Sequence, residues 1–154
     1  MRAVVDQILC VNKRQSIIQV SFTIMRKDTK NWLALADYDL ETARHMLTTG
    51  RYLYVVFLCH LALEKILKAH VAEFTQEVPI KTHDLIYLVK KCELELSENH
   101  LDFIGKINTA SIPTRYPDDL QRSLKEYPKS VVENYLDQTE ELVKWLKQHQ
   151  NLSK

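Results

Sequence analysis

The sequence predicts an all-α fold, an antiparallel up-and-down bundle of four main helices plus one short helix. Apolar residues recur at three- and four-residue intervals through three long stretches, near 32–47, 52–74 and 131–146. Glycine occurs only twice in 154 residues, at Gly50 and Gly105, and Gly50 falls where the first of these stretches should stop. The one strand-like stretch, Gln15 to Met25, has no second strand to pair with.

The first helix is expected from Thr29 or Asn31, both suitable N-caps. Trp32, Leu35, Ala36, Leu40, Ala43, Met46 and Leu47 form its inner face, with Asp37, Asp39, Glu41 and Arg44 mostly outside. Gly50 is a natural stop, and a tight turn over Thr48 to Arg51 sends the chain back. The second helix, Tyr52 to Phe74, is apolar nearly all round in its first half and therefore belongs at the centre of the bundle. Pro79 closes the connection that follows. Thr82 is the expected cap of a third helix over His83 to Leu94, and a short helical piece is expected over Ser97 to Lys106. Asn108 to Pro128 holds three of the four prolines and reads as a long connection, the kind of segment that often carries function. Pro128 suits the first turn of a last helix, whose stripe is Val131, Val132, Tyr135, Leu136, Thr139, Leu142, Val143 and Leu146.

Length and charge narrow the function classes. The chain is long enough for one domain with a real core. We divide it into residues 1–27, an N-terminal extension outside the core, and residues 28–150, the helical-bundle domain. The extension is either an arm that docks on a partner or sequence upstream of a natural start at Met25, and the helical pattern beginning beside Met25 favours the second. A formal charge of +1 gives no general attraction to nucleic acid or membrane. Without a glycine cluster there is neither a phosphate-cradling loop nor a dinucleotide fingerprint. The three cysteines, Cys10, Cys59 and Cys92, are far apart and read as small core residues of a reducing, cytoplasmic compartment. No apolar run is long enough to span a bilayer. The six histidines form no metal motif, so no metal and no cofactor are expected.

Charges inside the apolar second helix single out a candidate site. His60, Glu64 and Lys68 follow at four-residue steps and share one face. Buried charges need partners, so Glu64 and Lys68 either neutralise one another and fix the helix register, or line a polar cleft. His83 can serve as acid, base or ligand, or simply bond the backbone at a helix start, where Asp84 suits the positive end of the dipole. In the long connection, Arg115 can grip a phosphate while Tyr116 stacks on a base. It can equally pair with Glu64 or a nearby aspartate and hold the loop to the bundle.

Five motifs in order resemble the HEPN domain family. They are W-L-x-L-A-x-x-D at Trp32 to Asp39, Gly50-x-Tyr52, E-K-I-L-K-A at Glu64 to Ala69, T-H-D-L at Thr82 to Leu85, and R-Y-P-D at Arg115 to Asp118. The resemblance covers about Asp28 to Gln148. It implies a helical bundle that dimerises and is encoded beside a minimal nucleotidyltransferase, often as a toxin–antitoxin pair, with nucleotide or RNA as ligand. The ligand-binding set would be Glu64, Lys68, His83, Arg115, Tyr116 and Asp118. Many members are metal-independent ribonucleases whose signature is an arginine followed four to six residues later by a histidine. Here the next histidine after Arg115 is His149. A catalytic role would therefore fall to Arg115 with His83, and a third alternative is a non-catalytic adaptor bundle.

Overall fold

The computed structural model describes residues 24–152. Among these there are six helices and no strand: α1 (Lys27–Thr48), α2 (Tyr52–Thr75), α3 (Leu85–Lys91), α4 (Glu98–Arg115), α5 (Leu120–Glu126) and α6 (Lys129–Gln148). The all-α bundle is as expected, with four long helices and two short ones. Residues 1–23, with nearly all of the strand-like stretch and Cys10, lie outside the described residues.

α1 and α2 form an antiparallel hairpin. Gly50 adopts φ +71°, a conformation that costs glycine little, and Arg51 N–H donates back to the Met46 carbonyl at 2.8 Å. α1 begins earlier than either expected cap. Its first turn is organised by Arg26, whose guanidinium grips Asp28 at 2.7 Å, and Thr29 is buried inside the helix.

α2 is the central element and packs against α1, α3, α4, α5 and α6. Val55, Val56, Cys59, Ala62, Leu63, Ile66 and Leu67 are all fully buried along it, as an all-round apolar helix requires. Leu85 and Leu88 of α3, Ile104 and Ile107 of α4, and Leu142 and Leu146 of α6 close the core around it. Cys59 and Cys92 are buried free thiols, and burial pushes each up to about 12.

Two stretches correct the sequence reading. Asp84, not Thr82, caps α3: its carboxylate accepts from the Ile86 and Tyr87 amides at 3.0 and 3.2 Å, while Thr82 Oγ1 accepts from Asp84 itself. His83 therefore precedes the helix. The expected long connection from Asn108 is mostly helix, since α4 runs through Pro113 to Arg115 and α5 follows, capped by Asp119. Pro113 lies in the last turn of α4, where its missing amide forfeits the bond to the Thr109 carbonyl. Buried Phe103, Ile104, Ile107, Ala110 and Thr114 hold the helix together through that point.

Candidate functional site

One stripe of α2 organises the polar residues. Phe57, His60, Glu64 and Lys68 follow at steps of three, four and four, so they stand one above another on one face. Each meets a partner from another part of the fold.

At the base of the stripe the Arg115 guanidinium carbon lies over the Phe57 ring, 4.6 Å from its centroid. The end of α4 brings it there. Stacking on an aromatic face suits the flat, weakly hydrated guanidinium. Among the described residues Arg115 forms no ion pair, and its buried Nε has no hydrogen-bond partner. The expected alternative of pairing with Glu64 or an aspartate is thus not what holds Arg115 to the bundle; Phe57 does. Neighbouring Tyr116 is 72% exposed, and Asp118 is also exposed, between α4 and α5.

One turn on, His60 is fully buried, and its Nε2 lies 3.1 Å from the His83 carbonyl oxygen. Burial lowers its pKa against the pull of Glu64, and the nearby Arg115 charge acts in the same direction as burial. The ring is therefore neutral.

Glu64 and Lys68 complete the stripe. Their side chains retain only 4% and 8% of their exposure, and Lys68 Nζ donates to Glu64 Oε1 at 2.6 Å. The other carboxylate oxygen, Oε2, takes His83 Nδ1 at 2.8 Å. Burial alone would raise the Glu64 pKa, but the hydrogen bonds from Lys68 and His83 outweigh it and hold the carboxylate below its ordinary range. Lys68 also stands over the Trp32 ring of α1, 5.3 Å from the centroid. The His83 side chain is 67% exposed, so a ring anchored on a buried carboxylate opens to solvent.

The structure thus gathers Lys68 and His83 on the two oxygens of Glu64, and sets Arg115 about two turns away along the same stripe. Sequence reasoning missed Phe57, which lies three residues before His60 and continues the stripe backwards. It also missed Asn108, whose Oδ1 accepts from the Leu85 amide at 2.9 Å and ties α4 to the start of α3 beside His83. Trp32 was legible only as a core residue. No three His, Cys, Asp or Glu side chains converge as a metal site among the described residues, and no described helix is long and apolar enough to cross a membrane.

Comparison with known proteins bears on this arrangement. No curated protein matches. Among solved structures, that of TT1696 from Thermus thermophilus superposes with a TM-score of 0.69 at 21% identity, covering 79% of this chain and 98% of that one. ST0689, an archaeal HEPN homologue, gives a TM-score of 0.63 at 22% identity, covering 79% of this chain and 97% of that one. At such identities the likeness is one of fold. The family model described as HEPN domain matches residues 29–149, most of the chain and all four long helices but the first two residues of α1. The chain belongs to the HEPN domain family.

Proposed function

We propose that this protein is a nucleotide- or RNA-binding component that works with a separately encoded minimal nucleotidyltransferase, in a toxin–antitoxin-like pair. Arg115 carries the reading. A half-buried guanidinium stacked on Phe57, without an ion pair among the described residues, is a cation in want of an anion. Glu64 and Lys68 cancel one another and leave Arg115 as the charge that meets a phosphate. Exposed Tyr116 supplies an aromatic face for a base. Tyr54 on α2, Ile112 on α4, and Leu120 and Leu124 on α5 are exposed apolar side chains, which suits a homodimer.

The test is calorimetric titration with a short single-stranded oligoribonucleotide and, separately, with adenosine monophosphate. Arg115→Ala is expected to weaken binding on the order of tenfold or more, as loss of a charge-assisted contact does, with helix content by circular dichroism unchanged. Equal affinity in the two proteins would remove Arg115 from the site.

The Glu64–His83 contact favours a second reading, a metal-independent endoribonuclease. A histidine oriented by a carboxylate, with its other nitrogen open to solvent, is the arrangement a general base needs. RNA cleavage that survives a chelator and disappears in His83→Ala would establish it. An intact substrate after incubation with the parent protein would leave the binding reading and the non-catalytic adaptor.

A further inference from the structure

His60 makes none of the proposed ligand contacts, yet on its stripe of α2 it stands between Phe57, which seats Arg115, and Glu64, which holds the His83 ring. Its Nε2 faces a carbonyl oxygen, that of His83. A carbonyl only accepts, so Nε2 carries the proton and Nδ1, buried and without a partner, is bare. On the next turn of α2, Glu64 Oε2 receives Nδ1–H of the same His83. Consecutive turns of one rigid helix therefore hold His83 twice, once by its backbone and once by its ring. Lys68 on the remaining oxygen keeps the carboxylate facing this way. The titratable groups near His60 are Glu64 on its own helix, with Lys68 bonded to it, Arg115 from α4 and the His83 ring from the connection before α3.

We infer that His60 is a positioning residue that acts through His83: its Nε2–H fixes the backbone from which the His83 ring reaches Glu64, and so sets which ring nitrogen opens to solvent. With Nδ1–H committed to Glu64, it is Nε2 that carries the lone pair whenever the His83 ring is neutral, and it faces solvent. A ligand carrying a hydroxyl or amine donor beside an anion then meets an acceptor at His83 and a cation at Arg115. That consequence for ligands rests on the binding reading above; the tautomer of His83 does not.

The experiment labels the histidine nitrogens of the full chain and reads tautomers by NMR in mildly alkaline buffer. His60 is expected as the Nε2–H form and His83 as the Nδ1–H form. His60→Leu keeps the volume and removes the donor. It is expected to release His83 into averaged tautomers and to weaken binding of the oligoribonucleotide roughly three- to tenfold, the worth of one hydrogen bond. His60→Gln keeps an N–H at similar reach and is expected to restore both. An unchanged His83 signature in folded His60→Leu overturns the inference, and so does a glutamine variant as defective as the leucine one. Should the leucine variant fail to fold, the wild-type spectrum still decides: His60 protonated on Nδ1 refutes the assignment. Absence of oligoribonucleotide binding in the wild type would defeat the binding reading and leave the spectra to judge His60.

Discussion

Glu64 Oε2 and His83 Nδ1 stand 2.8 Å apart, although the carboxylate is buried and the imidazole is largely open to solvent. The carboxylate therefore spends one oxygen on fold stability, through Lys68, and the other on a residue that faces solvent. Removing its charge leaves the Lys68 ammonium buried without a counter-ion. Breaking one side of a buried pair costs about 3–5 kcal/mol, whereas replacing both sides by apolar groups costs little. Glu64→Gln is accordingly expected to lose about 3 kcal/mol in urea unfolding, and Glu64→Gln combined with Lys68→Met to recover most of it. A double-variant loss equal to the sum of the separate Glu64→Gln and Lys68→Met losses would show that the pair does not couple.

The same carboxylate gives an acid dependence. Its folded pKa is lowered, so the stability it contributes is present above the unfolded carboxylate range and is lost as pH falls through the folded pKa. Unfolding free energy should therefore fall from about pH 5 downward. In Glu64→Gln that part of the slope should be missing. An identical acid limb in the variant would place the titrating group elsewhere.

The seat of Arg115 makes a sharper demand than its charge. Lysine keeps the charge, but a point-like ammonium neither lies flat on Phe57 nor offers a fork of donors to a phosphate. Arg115→Lys is expected to recover less than half of the binding free energy lost in Arg115→Ala, and Phe57→Leu to weaken binding while the charge remains. Affinity titrations of the three variants check this. Full rescue by lysine would mean that charge alone matters there.

How much of this was legible beforehand depends on what set each feature. The α1–α2 hairpin was readable because Gly50 and the periodic apolar faces on both sides of it are local signals. The course of α4 was not. Pro113 and Pro117 suggest a loop, and the helix survives there because its inner face packs on α2, a tertiary effect absent from any local window. The stripe of His60, Glu64 and Lys68 was visible as spacing. Its partners were not, since spacing fixes a face and says nothing of what lies opposite. Thus Arg115 could be expected on Glu64, while the fold delivers His83 to Glu64 and Arg115 to Phe57.

Asn108 illustrates the hidden part. Its side chain accepts from the Leu85 amide, next to a leucine that is fully buried. Asn108→Ala leaves that amide unpaired and is expected to cost about 1–2 kcal/mol. Exchange of the Leu85 amide with solvent deuterium should accelerate more than that of Ile104 or Leu142. Asn108→Asp, which keeps the acceptor oxygen, should protect the amide again. Unaltered exchange at Leu85 in the alanine variant would show that the bond contributes nothing.

The far end of α2 carries a second, independent pH response. His70 is fully buried, its Nε2–H donates to the Leu146 carbonyl at 3.0 Å, and its ring meets His149 edge-on with centroids 5.6 Å apart. Burial, opposed by that hydrogen bond and aided by His149, lowers its pKa to about 4. An unfolded histidine titrates near 6.5. Between these values the unfolded chain binds the proton and the folded one does not, so stability falls as pH drops from about 6.5 towards 4. The loss attributable to His70 is on the order of 3 kcal/mol across the window. His70→Gln keeps a donor for Leu146 and removes the titration. Urea unfolding at pH values across the window should show a shallower slope in this variant, with remaining slope from His60, whose pKa burial also lowers, and below about pH 5 from Glu64. A slope equal to the parent's would mean that His70 is not the group taking up the proton, and Trp145, which lies against His149 with centroids 5.3 Å apart, would report by its fluorescence whether that end of the bundle has opened instead.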